Sequence, residues 1–290
     1  MSVDRLQDRI RKLKTPVVLD LDMLPEHIPP VFLGGSATFP GGWERYCKAL
    51  LDALAGTVPA VRFSLNRAVL YGFEGVSALK ELMRCAAKLD YYVLLDGISL
   101  LTPEDAQQAA DHLFGEDWKF DGLVTTAYIG SDAIRPYAQR LEQTDRSLFV
   151  VLKTANRSGQ EVQDLLTGSR LVYQAVADIV SRFSQGNTGR SGYTPVAAVA
   201  PANAPDALRV LREKYKYQFL LVDGYDAPNA NAKNCGNAFD TLGHGAAVCA
   251  GASITAAWRE SPWTQEEYLQ AAAEALQRMK KNIGRYVTVL

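Results

Sequence analysis

Eight short, nearly uninterrupted apolar runs recur along the chain, and they limit its fold more than any other feature. They are "PVVLDLD" (16–22), "AVRFSLN" (60–66), "YYVLLDG" (91–97) and "GLVTTAY" (122–128), followed by "SLFVVLKT" (147–154), "PVAAVAP" (195–201), "QFLLVDG" (218–224) and "GAAVCAG" (245–251). Continuous hydrophobicity over so few residues is what a strand buried on both faces looks like, as in a parallel sheet. Between the runs lie segments with apolar residues at helical spacing: 41–56, 72–89, 131–143, 160–183, 204–215 and 264–286. The last opens with Thr264 and Glu267 in a capping-box arrangement.

Strand and helix alternating eight times predicts an α/β fold, a (β/α)8 TIM barrel. A doubly wound open sheet is the alternative, but no G-x-G-x-x-G follows the first strand. No linker or composition break divides the chain, so residues 1–290 are expected to form a single domain, with an amphipathic N-terminal helix plugging or flanking the barrel's lower end. Lys and Arg number 31 against 32 for Asp and Glu, so no basic field invites nucleic acid or an anionic membrane. The N-terminal "MSVDRLQDRIRKLK" is too charged for a signal peptide, and no run nears the roughly 20 apolar residues of a membrane span. A soluble, cytoplasmic protein is expected. The four cysteines (Cys47, Cys85, Cys235, Cys249) and three histidines (His27, His112, His244) lack metal-ligand spacing, so no metal is expected.

Barrel enzymes place their chemistry at the C-terminal ends of the strands. Those ends carry Asp20 and Asp22, Arg62, Ser64 and Asn66, Asp96, Thr126 and Tyr128, Lys153, Thr154 and Asn156, then Asp223 and Asp226; the eighth ends in small residues, "CAGAS". Asp96 is followed by the aliphatic turn Ile98, Leu100, Leu101. It is not needed as a helix cap, because Thr102 and Pro103 already open the next helix. Two roles stay open for it: a structural ion pair with Arg62 of the adjacent strand, or catalysis.

In strand order and in several segments the chain resembles the orotidine 5′-phosphate decarboxylase family, particularly its longer bacterial branch, over roughly residues 5–285. "AVRF" with "LYGFEG" is similar to the family's second strand and the start of its helix, and "VLLDG" to its third strand. "AYIGSDAIRP" resembles its fourth-strand turn, "FVVLKTANRSGQEVQ" its fifth strand and loop, and "FLLVDGYDA" and "AAVCAGASI" its phosphate-binding strands. The resemblance implies decarboxylation at C6 of a pyrimidine nucleotide without a cofactor, by a fixed Lys-Asp-Lys-Asp array whose last Asp reaches into the partner subunit's site.

Carried across residue by residue, that array is mostly gone. Arg62 stands at the first Lys, Asp96 at the first Asp, Ile98 at the proton-donating Lys and Leu101 at the second Asp. No Lys occurs between Lys88 and Lys119. At the phosphate end Pro228 and Asn229 replace a Gln, Ala252 replaces an Arg, and Asp223 and Asp226 would repel a dianion, with only backbone N–H groups around residues 251–253 to compensate. Arg62 and Asp96 are then remnants of the catalytic set, and Asp22, Asn66, Thr154, Asn156, Asp223 and Asp226 are candidates for contacting a pyrimidine nucleotide or another small molecule. Three readings remain open: an inactive or very weak family member that regulates pyrimidine synthesis as a homodimer or with an active paralogue; a barrel enzyme with different, lyase-type chemistry; or a decarboxylase with an atypical site. For the second, Lys153 could form a Schiff base or the carboxylates hold Mg²⁺ through water, though an ion pair is the plainer role for Lys153. Segment 34–43 reads as a flexible loop over the mouth, the tryptophans as outer-layer packing, and Arg190 as a cation that could close on a ligand phosphate.

Overall fold

In a computed structural model, which describes residues 1–34, 38–97, 102–184, 186, 188–260 and 262–290, all eight apolar runs form strands. They are β1 (Val17–Asp20), β2 (Ala60–Ser64), β3 (Tyr92–Asp96), β4 (Gly122–Thr126), β5 (Ser147–Val151), β6 (Val196–Pro201), β7 (Leu220–Asp223) and β8 (Ala246–Ala250). Each pairs in parallel with its chain neighbours, and β8 closes on β1.

Side chains alternate across a strand, so every second residue points inward. That parity sends Val18, Ala60, Tyr92, Leu94, Phe149, Phe219 and Cys249 to one interior cluster. Val17, Leu19, Val61, Phe63, Val93 and Leu95 pack outward in the cluster that meets the helices. The inward parity also selects Asp20, Arg62, Ser64, Asp96 and Asp223 at the C-terminal rim. Register then fixes their height: Asp20 is level with Arg62, and Ser64 with Asp96.

The lower end is closed as expected. Helix α1 (Ser2–Leu13) puts Val3, Leu6 and Ile10, all fully buried, against the interior cluster. Ser2 Oγ donates to Tyr92 Oη at 2.9 Å, and Gln7 Oε1 accepts the Gly245 N–H at 2.9 Å. The last residues fold onto the same end, where Arg11 and Lys14 donate to the carbonyls of Leu290 and Val289, each at 3.2 Å. Arg190 belongs here too: it pairs with Asp8 of α1 at the end opposite the strand C-termini, so it is not available to a ligand at the mouth.

Two expectations need correction. Segment 34–43 is not simply a loop: Thr38 caps α2 (Phe39–Ala53), accepting the Gly41 N–H at 3.4 Å, with a Pro in the first turn. Residues 35–37 lie outside the described residues. The 160–183 pattern is not one helix either. A single turn, Gln160–Gln163, gives way to a hairpin pairing Leu166–Thr167 with Arg170–Leu171 around Gly168 at φ 66°, before the helix Val172–Arg182. The "TGS" at 167–169 supplies a left-handed turn that the apolar spacing concealed. The caps at Thr102 (with Asp105) and Thr264 (with Glu267) form as the sequence suggested. Trp43 is buried between α2 and the barrel and donates to the Leu21 carbonyl at 3.2 Å. No helix among the described residues is long and apolar enough to cross a membrane.

Candidate functional site

At the rim, Arg62 is 8 % exposed and engaged on two sides. Its Nη2 meets Asp20 Oδ2 at 2.6 Å, and its Nη1 reaches Asp223 Oδ1 at 3.1 Å. Burial opposes the guanidinium charge, but the carboxylates around it, Asp20 first and then Asp223 and Asp96, outweigh burial and hold Arg62 charged well above its ordinary range. Its Nε is buried without an acceptor among the described residues.

The expected direct pair between Arg62 and Asp96 does not form. Register gives the reason: Arg62 is level with Leu94, and Asp96 sits two residues further along, about 6.6 Å higher. The level partner of Arg62 is Asp20 on its other flank. Among the described residues Asp96 makes no side-chain hydrogen bond and no ion pair within 4 Å. Burial raises its carboxyl to about 7; Arg62's attraction offsets this only in part, and Asp223, Asp20 and Asp22 push the same way as burial. Burial likewise raises Asp20 and keeps Cys249 a thiol.

Asp96 lines a cavity of about 700 Å³ with Asp22, Ser64, Asn66, Arg67, Val69 and Leu70. Asp22 is held there by Arg67, whose Nε donates to its Oδ1 at 2.9 Å. Sequence reasoning missed Arg67, though a signal existed: Ser64 Oγ accepts the Arg67 N–H at 3.1 Å, an N-cap that the run "SLNR" foreshadows. Asp226 turns to the eighth strand, where its Oδ2 accepts the Gly251 N–H at 2.8 Å.

Thr154 and Asn156 lie elsewhere, in a second cavity of about 660 Å³ that also includes Lys153, Asn203, Pro228 and Asn229. Lys153 is bound to Asp164 at 2.5 Å and stands 5.6 Å from the Tyr173 ring centroid. Thr154 is tied through its N–H to Gln163 Oε1 at 3.0 Å. Neither Gln163 nor Asp164 was legible as a site partner, because the end of the helix after the single turn Gln160–Gln163 was not expected. The structure therefore divides the candidates into an acidic group around Asp96 and an amide-rich group around Lys153. Among the described residues no three His, Cys, Asp or Glu side chains converge to hold a metal ion. Ile98 and Leu101, which the sequence comparison above sets at the positions of the proton-donating Lys and the second Asp, lie outside the described residues.

No family model matches the chain. Curated relatives do. The orotidine 5′-phosphate decarboxylase of Rhodopirellula baltica is 30 % identical over 239 residues, covering 80 % of this chain and 78 % of that one. This chain belongs to the orotidine 5′-phosphate decarboxylase family. The decarboxylase of Caldicellulosiruptor bescii matches at 24 % over 302 residues, with 98 % of both chains covered. Among solved structures, OMP decarboxylase of Leishmania donovani superposes with a TM-score of 0.72 at 21 % identity, covering 97 % of this chain and 98 % of that one. The orotidine 5′-monophosphate decarboxylase of Plasmodium berghei gives 0.75 at 14 %, with the same coverage. At such identities the structural likeness speaks for the barrel alone, and membership in the decarboxylase family rests on the sequence relatives.

Proposed function

We propose that this barrel is a member of the decarboxylase family that has given up decarboxylation and acts as a ligand-binding, regulatory protein of pyrimidine nucleotide synthesis. In this reading residues 1–290 work as one unit, paired with a second copy or with an active paralogue, and Leu101 in place of an acid suits an apolar subunit boundary. One observation carries the reading: among the described residues the cation whose attraction acts on Asp96 is the guanidinium of Arg62, which is already bound to Asp20 and Asp223. A guanidinium stays protonated at neutral pH and is a poor donor to carbon. The chain offers Ile98 where the family offers an ammonium group. Loss of one preorganised charge costs about 10² to 10³ in rate, and this site lacks two and has altered a third.

The test is incubation of the purified protein with orotidine 5′-phosphate and chromatographic measurement of the uridine 5′-phosphate product. No turnover above the uncatalysed background is expected. Turnover at about 1 s⁻¹ or faster, within the ordinary enzyme range, sinks the reading.

A second reading is favoured by Asp96 itself. A carboxyl raised to about 7, unpaired among the described residues and facing a cavity, has the proton affinity of a general acid–base at neutral pH. New chemistry on the old barrel would use it, with Arg67 and Asn66 positioning a substrate. Turnover of an unrelated substrate that vanishes in Asp96→Asn would favour this reading over the first.

A further inference from the structure

The balance of charge and contact around Asp96 says what kind of molecule the cavity can take, an inference that rests on the non-decarboxylating reading above. Asp20, Asp22, Asp96, Asp223 and Asp226 share the mouth with Arg62 and Arg67, a formal charge of −3 when all are ionised. Both guanidiniums are engaged, Arg62 by Asp20 and Asp223 and Arg67 by Asp22. The Gly251 N–H, a donor that an incoming anion could use, is already taken by Asp226. What remains is an acceptor: the Asp96 carboxylate, enclosed on most sides and open to the cavity.

Two residues of the lining are apolar and left in water. Val69 and Leu70 face the same cavity while 50 % and 74 % exposed. A carboxylate without a hydrogen-bonding partner among the described residues and two exposed aliphatic side chains in the same cavity are complementary to one kind of molecule. We propose that this cavity binds a primary amine carried on an apolar body, with the ammonium group against Asp96 and the hydrocarbon over Val69 and Leu70. A phosphate monoester is disfavoured there, because it would meet Asp96, and Arg67, the cation among the described lining residues, is already paired with Asp22.

Binding of a cation favours the ionised form of Asp96, so affinity rises as pH rises through its titration. The charged and titratable groups around Asp96 among the described residues are Arg62 from β2, Arg67 from the turn that follows it, Asp20 and Asp22 from β1 and its loop, Asp223 from β7 and Cys249 from β8. Through the neutral range the guanidinium stays charged and Cys249 stays a thiol.

The experiment compares three probes with the same ring but different charge, using the full chain: 2-phenylethylamine, 2-phenylethanol and phenyl phosphate, each titrated by protein-observed NMR. The amine should bind at least about tenfold tighter than the alcohol, with no saturable binding of the phosphate. Its affinity should rise several-fold between about pH 6 and pH 8. Asp96→Asn should remove both the preference for amine over alcohol and the pH dependence; the wild-type pH series gives the same readout should that variant fail to fold. Phenyl phosphate binding as tightly as the amine, no binding of the amine, or amine binding indifferent to pH overturns the proposal. The two readings fail separately: turnover of orotidine 5′-phosphate removes the proposed function, whereas no turnover with the phosphate preferred removes only the amine.

Discussion

The two ends of this barrel handle charge in opposite ways. At the lower end Asp4, Asp8, Asp90, Asp121 and Asp145 meet the N-terminal ammonium, Arg190, Arg9 and Arg5, so that each of these acids has a cation within 4 Å. At the mouth five carboxylates share two guanidiniums. An end that only has to hold the chain together can neutralise itself locally. An end that keeps an imbalance bears its desolvation cost in the folded state, and the imbalance becomes available to a ligand.

The largest expected effect comes from removing the mouth's central cation. Arg62→Met leaves the largely buried Asp20 without its cation beside a partly exposed Asp223, and should cost about 3–5 kcal/mol in urea denaturation at neutral pH. A loss below 1 kcal/mol would mean that the acids simply take up protons, and would erase the contrast between the ends.

A middle-sized effect should appear as a pH slope. Asp96 is raised to about 7 from an unfolded value of about 3.9, so the folded state holds its proton more tightly than the unfolded chain. Its contribution to stability is therefore complete below about pH 4 and is lost as pH rises to about 7. Asp96→Asn should flatten that decline in a series of denaturation curves. An unchanged slope would place the titration on other groups.

The smallest effect belongs to the lower end. Arg190 is 77 % exposed where it meets Asp8, and Arg190→Ala should shift stability by no more than about 0.5 kcal/mol. A loss as large as that of Arg62→Met would show that the lower end also depends on its pairs.

How much of this was legible in the sequence follows from what each signal encodes. Two-face burial writes itself into composition, so all eight strands and the plugging helix could be read from apolar spacing. Inward parity at the rim was legible as well, since Asp20, Arg62, Asp96 and Asp223 fall at strand ends. Height was not. Whether Arg62 meets Asp20 or Asp96 depends on a two-residue difference in register between neighbouring strands, and no single strand carries that information. The hairpin at 166–171 was hidden for a related reason: its leucines fit a helical period, and only the left-handed Gly168 breaks it.

The fold of the last residues onto α1 has a practical side. Because Val289 and Leu290 are stitched to Lys14 and Arg11 at the lower face, a tether attached at residue 290 grips the molecule from underneath. A sensor surface coupled through that end would leave the open rim turned toward the solution.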